Sequence, residues 1–192
     1  MAVSRRNLFR GFGFCASTAT SAAAWTIDKV EPDETKIYTE AQKGRAPLRI
    51  LWVGAGNMRG VFKDVVFKAG SEVIALDLLK PDAADLSAVT AFAADHGYQL
   101  RFEQGDATKL TFADETFDVV VCSQFLCQDF NPEVVVSELR RVLKPGGRFG
   151  FFEDKTDIDE VIVGKVFGER SVIRVQYDPE KYNIKGGVVR KV

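Results

Sequence analysis

Cysteine and histidine are scarce in this chain of 192 residues: it has three cysteines (Cys15, Cys122 and Cys127) and one histidine, His96. So few thiols exclude a disulfide scaffold, and a single imidazole speaks against a His/Cys zinc site, so no metal is expected. Charge of one sign is not in excess either. Lys and Arg number 26 against 27 Asp and Glu, a formal net charge of −1. A chain this close to neutral lacks the basic field that nucleic acid or an anionic membrane would need, so neither is expected as a partner. No apolar run approaches the roughly 20 residues of a membrane-spanning helix. What remains, 46% hydrophobic and 28% charged, is globular composition sufficient for one small domain with an appendage.

Residues 1–27 lack Asp and Glu altogether. They carry Arg5, Arg6 and Arg10, then small and apolar residues from Gly11 to the run Ser21-Ala22-Ala23-Ala24. A basic start, a weakly apolar middle and an Ala-rich end mark a targeting peptide. Two addresses fit. The acid-free, Arg- and Ser-rich stretch resembles an organellar transit peptide, for a chloroplast or mitochondrion. Ser4-Arg5-Arg6-Asn7-Leu8-Phe9-Arg10 resembles a twin-arginine export signal with cleavage near Ala22 to Ala24. A retained N-terminal arm is the third reading. Residues 28–47 are polar, charged and without periodicity, and read as a linker or poorly packed lead-in.

From residue 48 to 192 strands and helices alternate. Leu48–Val53 (LRILWV) is a buried strand that stops at Gly54. Phe62, Val65, Val66 and Ala69 recur at helical spacing before Gly70. Glu72–Asp77 reads as a second strand, Pro81–His96 as a helix with Leu86, Val89 and Ala93 on one side, and Tyr98–Phe102 as a third strand. A fourth begins at Asp118–Val121. Asn131-Pro132-Glu133 opens a helix by capping, fixed φ and charge at the dipole's positive end, with Val135, Leu139 and Val142 as its stripe. Lys144-Pro145-Gly146-Gly147 stops it, and Arg148–Phe152 is a fifth strand. Asp157–Phe167 reads as a short helix, and Ser171–Tyr177 with Gly187–Val192 as a terminal hairpin. The pattern is α/β: a Rossmann-like, doubly wound, mostly parallel sheet in a small single domain. Ligands of such sheets bind beyond the carboxyl ends of the strands where the strand order reverses.

The first strand runs into Gly54-Ala55-Gly56-Asn57-Met58-Arg59-Gly60, and Asp77 ends the second strand about 20 residues on. A glycine turn and a strand-end carboxylate suit a nucleoside-containing cofactor. Further on stand Gly105-Asp106-Ala107, a stretch from Leu110 to Val121 containing Phe117-Asp118-Val119-Val120, and Arg141-Val142-Leu143-Lys144-Pro145-Gly146-Gly147. This order resembles the class I S-adenosylmethionine-dependent methyltransferases, specifically the methyltransferase type 11 group, over about residues 48–153. The resemblance implies S-adenosylmethionine as cofactor. Gly54, Ala55 and Gly56 would pass beneath its methionine and ribose, Asp77 would bind the ribose hydroxyls, and Asp106 would meet the adenine amino group beside Ala107. Ser123 and Gln124 would lie near the sulfonium. Three positions depart from the group's pattern: Trp52 stands where an acid is usual, Met58 where a third glycine is usual, and Thr111-Phe112 replaces Pro-Phe.

Methyl transfer requires orientation and exclusion of water more than a particular side chain, and a base only if the acceptor carries a proton. Asp129, Glu153 and Asp154 are the candidates for that base. His96 reads as the end of a helix, and Cys122 and Cys127 as packing. Three functions follow: a methyltransferase for a small-molecule or protein acceptor, an inactive methyltransferase-like binding protein, or a nicotinamide-dependent oxidoreductase using the glycine loop and Asp77. Little chain is left for an acceptor lid, which would come from residues 28–47, from Gln124–Phe130 or from a second subunit of a homodimer. A cofactor made in the cytosol and carried into organelles favours the transit reading over export. Mass spectrometry of the mature protein is expected to find an N-terminus near residue 25, and a start at Met1 or Ala2 would eliminate a cleaved peptide.

Overall fold

The apolar runs assemble into one sheet. In this computed structural model residues 34–44, 46–56, 58, 66–153, 162–168, 172–178 and 184–192 are described. The expected targeting segment lies outside them, and so do Phe62 and Val65 of the expected first helix. The strands are β1 (Arg49–Val53), β2 (Glu72–Asp77), β3 (Gln99–Gln104), β4 (Phe117–Ser123), β5 (Leu143–Glu153), β6 (Val172–Asp178) and β7 (Ile184–Arg190). Their order is β3-β2-β1-β4-β5-β7-β6. The first five are parallel; β7 joins β5 antiparallel, and β6 joins β7 in the same sense. The expected doubly wound sheet and terminal hairpin are both present.

Side chains of each central strand alternate between two buried layers, as the period of two requires. Leu51 and Val53 of β1 share one layer with Val120 of β4 and Phe149 and Phe151 of β5. Ile50 and Trp52 point to the other, with Val73, Ala75 and Val121. Helix α3 (Pro132–Val142) covers the first layer, and α1 (Glu34–Ala41) and α2 (Ala83–Asp95) cover the second. The short α4 (Gly164–Phe167) packs beside α3. Among the described residues no helix is long and apolar enough to cross a membrane.

The caps follow from local chemistry. Asn131 Oδ1 accepts from the Glu133 N–H at 3.0 Å, Pro132 takes the first turn, and Val135, Val136, Leu139 and Val142 are buried. Asp82 caps α2 through the Asp85 N–H at 2.7 Å, so that helix begins at Ala83, two residues later than the sequence suggests. His96 ends α2 as expected, its Nδ1 2.8 Å from the Phe92 carbonyl.

Three expectations are corrected. The lead-in 28–47 contains α1, whose Ile37, Tyr38 and Ala41 are buried. This helix fits because the strands beneath it are stripped of side chains. A Cβ at Gly186 would collide with Ile37, and one at Gly150 would lie 3.1 Å from the Ala41 Cβ. The apolar helix expected over residues 62–69 does not extend through its described end: Val66–Lys68 have no regular structure, Ala69-Gly70 turn, and Val66 is 47% exposed. Phe67 is the buried residue there, packed among Tyr38, Trp52 and Tyr98 with centroids 5.6–6.2 Å apart. Finally, β5 begins at Leu143 rather than Arg148. Leu143 pairs with Phe117 and Arg148 with Val119, so Lys144–Gly147 bulge out between two paired stretches. Gly146 has φ +76°, and a Cβ at Gly147 would meet Leu143 Cγ at 2.9 Å.

Arg141, in the last turn of α3, ties the loop after β3 to the helix. It contacts Glu138 through two nitrogens at 2.8 and 2.9 Å and Asp114 at 2.7 Å, and donates to the carbonyls of Leu110 and Phe112. Glu138 in turn accepts from the Leu110 N–H at 2.9 Å, and its carboxyl is held below the ordinary value chiefly by Arg141. The Arg141→Ala change is expected to lower unfolding free energy by about 1–2 kcal/mol, since partial exposure screens the charges. Urea denaturation measures this, and an unchanged midpoint would contradict it.

Candidate cofactor site

Three adjacent strands end at one level, because Val53 pairs with Leu76 on one side and with Cys122 on the other. Beyond these ends, where the chain order reverses between β1 and β4, lies a cleft of about 260 Å3. Gly54, Asp77, Asp106, Ala107 and Gln124 line it, five of the eight residues expected there. Ala55 is buried beneath the loop, Gly56 points its N–H at Asp77, and Ser123 ends β4 outside the lining.

The glycine loop is held from both sides. The N–H groups of Gly54 and Ala55 donate to the Leu76 carbonyl at 2.9 and 3.2 Å. The Gly56 N–H donates to Asp77 Oδ2 at 2.7 Å, and Asp77 Oδ1 accepts from Leu79 N–H at 3.0 Å. Asp77 thus clamps the loop and its own turn. Each carboxylate oxygen retains a further lone pair for a ligand hydroxyl. Gly54 has φ +72°, and a Cβ there would collide with the Phe125 ring. Met58, at the usual third glycine, adopts φ +63° and is 1% exposed. Its left-handed backbone costs roughly 1–2 kcal/mol, and burial of a large apolar side chain offsets this.

On the β3 side Asp106 is exposed. Its Oδ1 accepts from the hydroxyl and the N–H of Thr108 at 2.7 and 2.8 Å. These bonds, the hydroxyl first, hold its carboxyl below the ordinary value. Leu78 and Leu79 project beside it, 63% and 66% exposed. On the β4 side stand Phe125, Gln128, Asp129 and Phe130, with the two rings 5.0 Å apart. The sequence marked Phe125, Gln128 and Phe130 only as part of a possible lid, Gln124–Phe130, and did not single out Leu78 or Leu79, whose only signal is position directly after β2. The charged groups among the described lining residues are all carboxylates: Asp77, Asp106 and Asp129.

The candidate bases separate. Asp129 lines the cleft and is exposed. Glu153, at the end of β5, is fully buried below the loop after β4 and does not line the cleft. Asp154 lies outside the described residues. His96 sits at the carboxyl end of α2, away from the lining, and Cys122 is buried in the core. Trp52 is fully buried against Phe67, its centroid 6.2 Å away, on the face opposite Leu51 and Val53.

A parallel sheet with this strand order, a glycine turn after β1 and acids after β2 and β3 defines a class I methyltransferase fold. Residues 51–151 match the family described as the methyltransferase domain, type 11. The chain belongs to that family. Sterol 24-C-methyltransferase ERG6B of Gibberella zeae is 34% identical over 108 residues, 55% of this chain and 27% of that protein. Demethylmenaquinone methyltransferase of Mycobacterium marinum is 33% identical over 148 residues, 72% of this chain and 62% of that protein. The chain therefore spans less than two thirds of these relatives. Among solved structures, the CurJ carbon methyltransferase superposes with a TM-score of 0.61 at 18% identity, covering 83% of this chain and 54% of that one. A methyltransferase from Aquifex aeolicus gives 0.56 at 19% identity over 83% and 90%. At these identities the likeness is one of fold.

Burial raises the Glu153 carboxyl from its ordinary value to about 7, against bonds from Leu126, Phe125 and Cys127 N–H groups that lower it. The folded protein therefore holds a proton that the unfolded chain releases above about pH 4.5. Its stability contribution is full below that pH and is lost as pH rises through about 7. Relative to Glu153→Gln, the wild-type protein is expected to lose on the order of 2 kcal/mol between pH 5 and pH 8. Urea midpoints at the two pH values read this directly, and a constant difference between the proteins would contradict it.

Proposed function

We propose that this chain is an S-adenosylmethionine-dependent methyltransferase acting on a small-molecule acceptor. The observation that carries this reading is the charge of the cleft: the described charged residues lining it are three carboxylates from three strand ends, beside a glycine turn. Such a site suits a cofactor bearing an ammonium and a sulfonium, and it repels the pyrophosphate of a nicotinamide dinucleotide. That ranks the oxidoreductase reading last. When bound, the cofactor supplies an activated methyl carbon. The chain supplies the rest. Asp77 offers acceptor lone pairs to vicinal hydroxyls while holding Gly56 in place. Asp106 stands beside Ala107 where an exocyclic amine would be met, and Leu78 and Leu79 give an apolar wall for a flat ring. The Phe125–Phe130 pair excludes water from the β4 side. Asp129 is the described carboxylate left to take a proton from an acceptor hydroxyl, thiol or amine.

The relatives named for sterols and for a quinone support a small, largely apolar acceptor. Trp52, at the usual acid position and turned into the core, favours the second reading, a methyltransferase-like binding protein without turnover. The acid-free segment 1–27 supports an organellar location, with twin-arginine export as the alternative. Calorimetry with S-adenosylhomocysteine is expected to show binding that Asp77→Asn weakens about 10-fold or more, a loss near 1.4 kcal/mol. No binding at millimolar ligand would overturn the reading, as would stronger thermal protection by NADH.

A further inference from the structure

The strand-end acid that the cleft does not use is Glu153. It is fully buried. Its Oε1 accepts from the backbone N–H groups of Phe125 and Leu126, both at 3.1 Å, and lies 3.7 Å from Cys122 Sγ. Its Oε2 is buried with no hydrogen-bond partner among the described residues. A neutral acceptor could hold two N–H groups at less cost in desolvation than a carboxylate.

The residues that Glu153 holds begin the segment crossing the cleft. Gln124 turns the chain with φ +50° and donates its N–H to the Phe152 carbonyl at 2.8 Å. Phe125 then lays its ring on Gly54 and against Phe130, and Gln128 and Asp129 follow on the cleft wall. One carboxyl group thus links the end of β5 to the cover of the glycine loop.

Resting on the methyltransferase reading, we propose that Glu153 is a positioning residue: its neutral carboxyl seats Phe125 and Leu126 through Oε1 so that the segment closes over a cofactor on Gly54, and ionisation of the buried group loosens that seat. A carboxyl raised to about 7 places this change near neutrality. The titratable groups described around it are the Cys122 thiol of β4, Cys127 of the held segment and Tyr38 of α1. Cys127 reaches Glu153 through its backbone N–H, and the Tyr38 phenol is raised well above its ordinary value by burial. None of these takes over the two bonds at Oε1.

The test compares the full chain with Glu153→Gln and Glu153→Ala. It uses S-adenosylhomocysteine calorimetry and hydrogen-exchange protection of residues 124–128, at pH 6 and pH 8. The wild-type protein is expected to bind about tenfold more tightly at pH 6 than at pH 8, the ratio that a group titrating at about 7 gives, with protection falling in parallel as the pH rises. Glu153→Gln, which keeps an acceptor but cannot ionise, is expected to show neither change. Glu153→Ala is expected to lose protection and at least tenfold in affinity at both pH values. If Glu153→Ala fails to fold, Glu153→Gln decides. A Gln variant that keeps the wild-type pH profile, or equal protection in all three proteins, would overturn the proposal. Failure of the wild-type protein to bind the ligand counts against the cofactor reading, and protection of residues 124–128 then decides the role of Glu153 alone.

Discussion

The parallel pairing of β1 between β2 and β4 is the constraint on which the rest depends. Val53 lies level with Leu76 and Cys122, so three chains leave the sheet at one height. At that height the chain from β1 turns away from the chain from β4, and the space between them must be filled or bound. Backbone carbonyls at strand ends need donors, and the Leu76 carbonyl takes two from the glycine loop. The same register places Asp77 where one carboxylate reaches both Gly56 and Leu79. A slip of one residue would exchange the two faces of β1, turning Trp52 toward α3 and Leu51 toward α1.

Around that centre the polar groups divide by depth. Asp106 and Asp129 stay exposed to water. Asp77 is nearly buried and is satisfied by two N–H groups. Glu153 is deepest and keeps one oxygen without a partner among the described residues. At Glu153 hydrogen bonding offsets desolvation only in part, so a carboxyl that does not line the cleft is the one whose proton affinity burial raises. The cleft and the acid beneath it are coupled through the backbone of residues 124–127.

The second buried layer shows how small residues shape the fold. Gly150 and Gly186 leave a flat strip on β5 and β7, and α1 settles there with Ile37 and Ala41 against bare backbone. Tyr38 from the same helix joins Phe67, Trp52 and Tyr98 in an aromatic cluster. A lead-in that is mostly polar along its length therefore supplies part of the core. Trp52 also has its account here: it belongs to this cluster and stays fully buried.

Much of the fold was legible because it is written in short-range patterns. Glu72–Asp77 is a run of buried residues between turns, Asn131-Pro132-Glu133 carries its cap within three positions, and the terminal hairpin appears as two strands of similar length. The glycine turn and Asp77 were legible as a site because a close backbone approach and a strand-end acid leave residue-type signals. What only tertiary structure decided depends on distant partners. The helix at 34–41 has three buried residues among charges, and it becomes a core element because Gly150 and Gly186 lie beneath it. The stretch ending at Ala69 has helical spacing, yet its described end turns at Ala69-Gly70 while Phe67 enters the aromatic cluster. Phe125 over Gly54 and the burial of Glu153 are contacts between segments far apart in the chain. The sequence by itself determined the five parallel strands, the cap at Asn131 and which loop is built of glycine, since those follow from local sterics and periodicity. The depth of each carboxylate, and hence its chemistry, came only with the packing of one segment on another, since desolvation is a property of the surroundings and not of the residue.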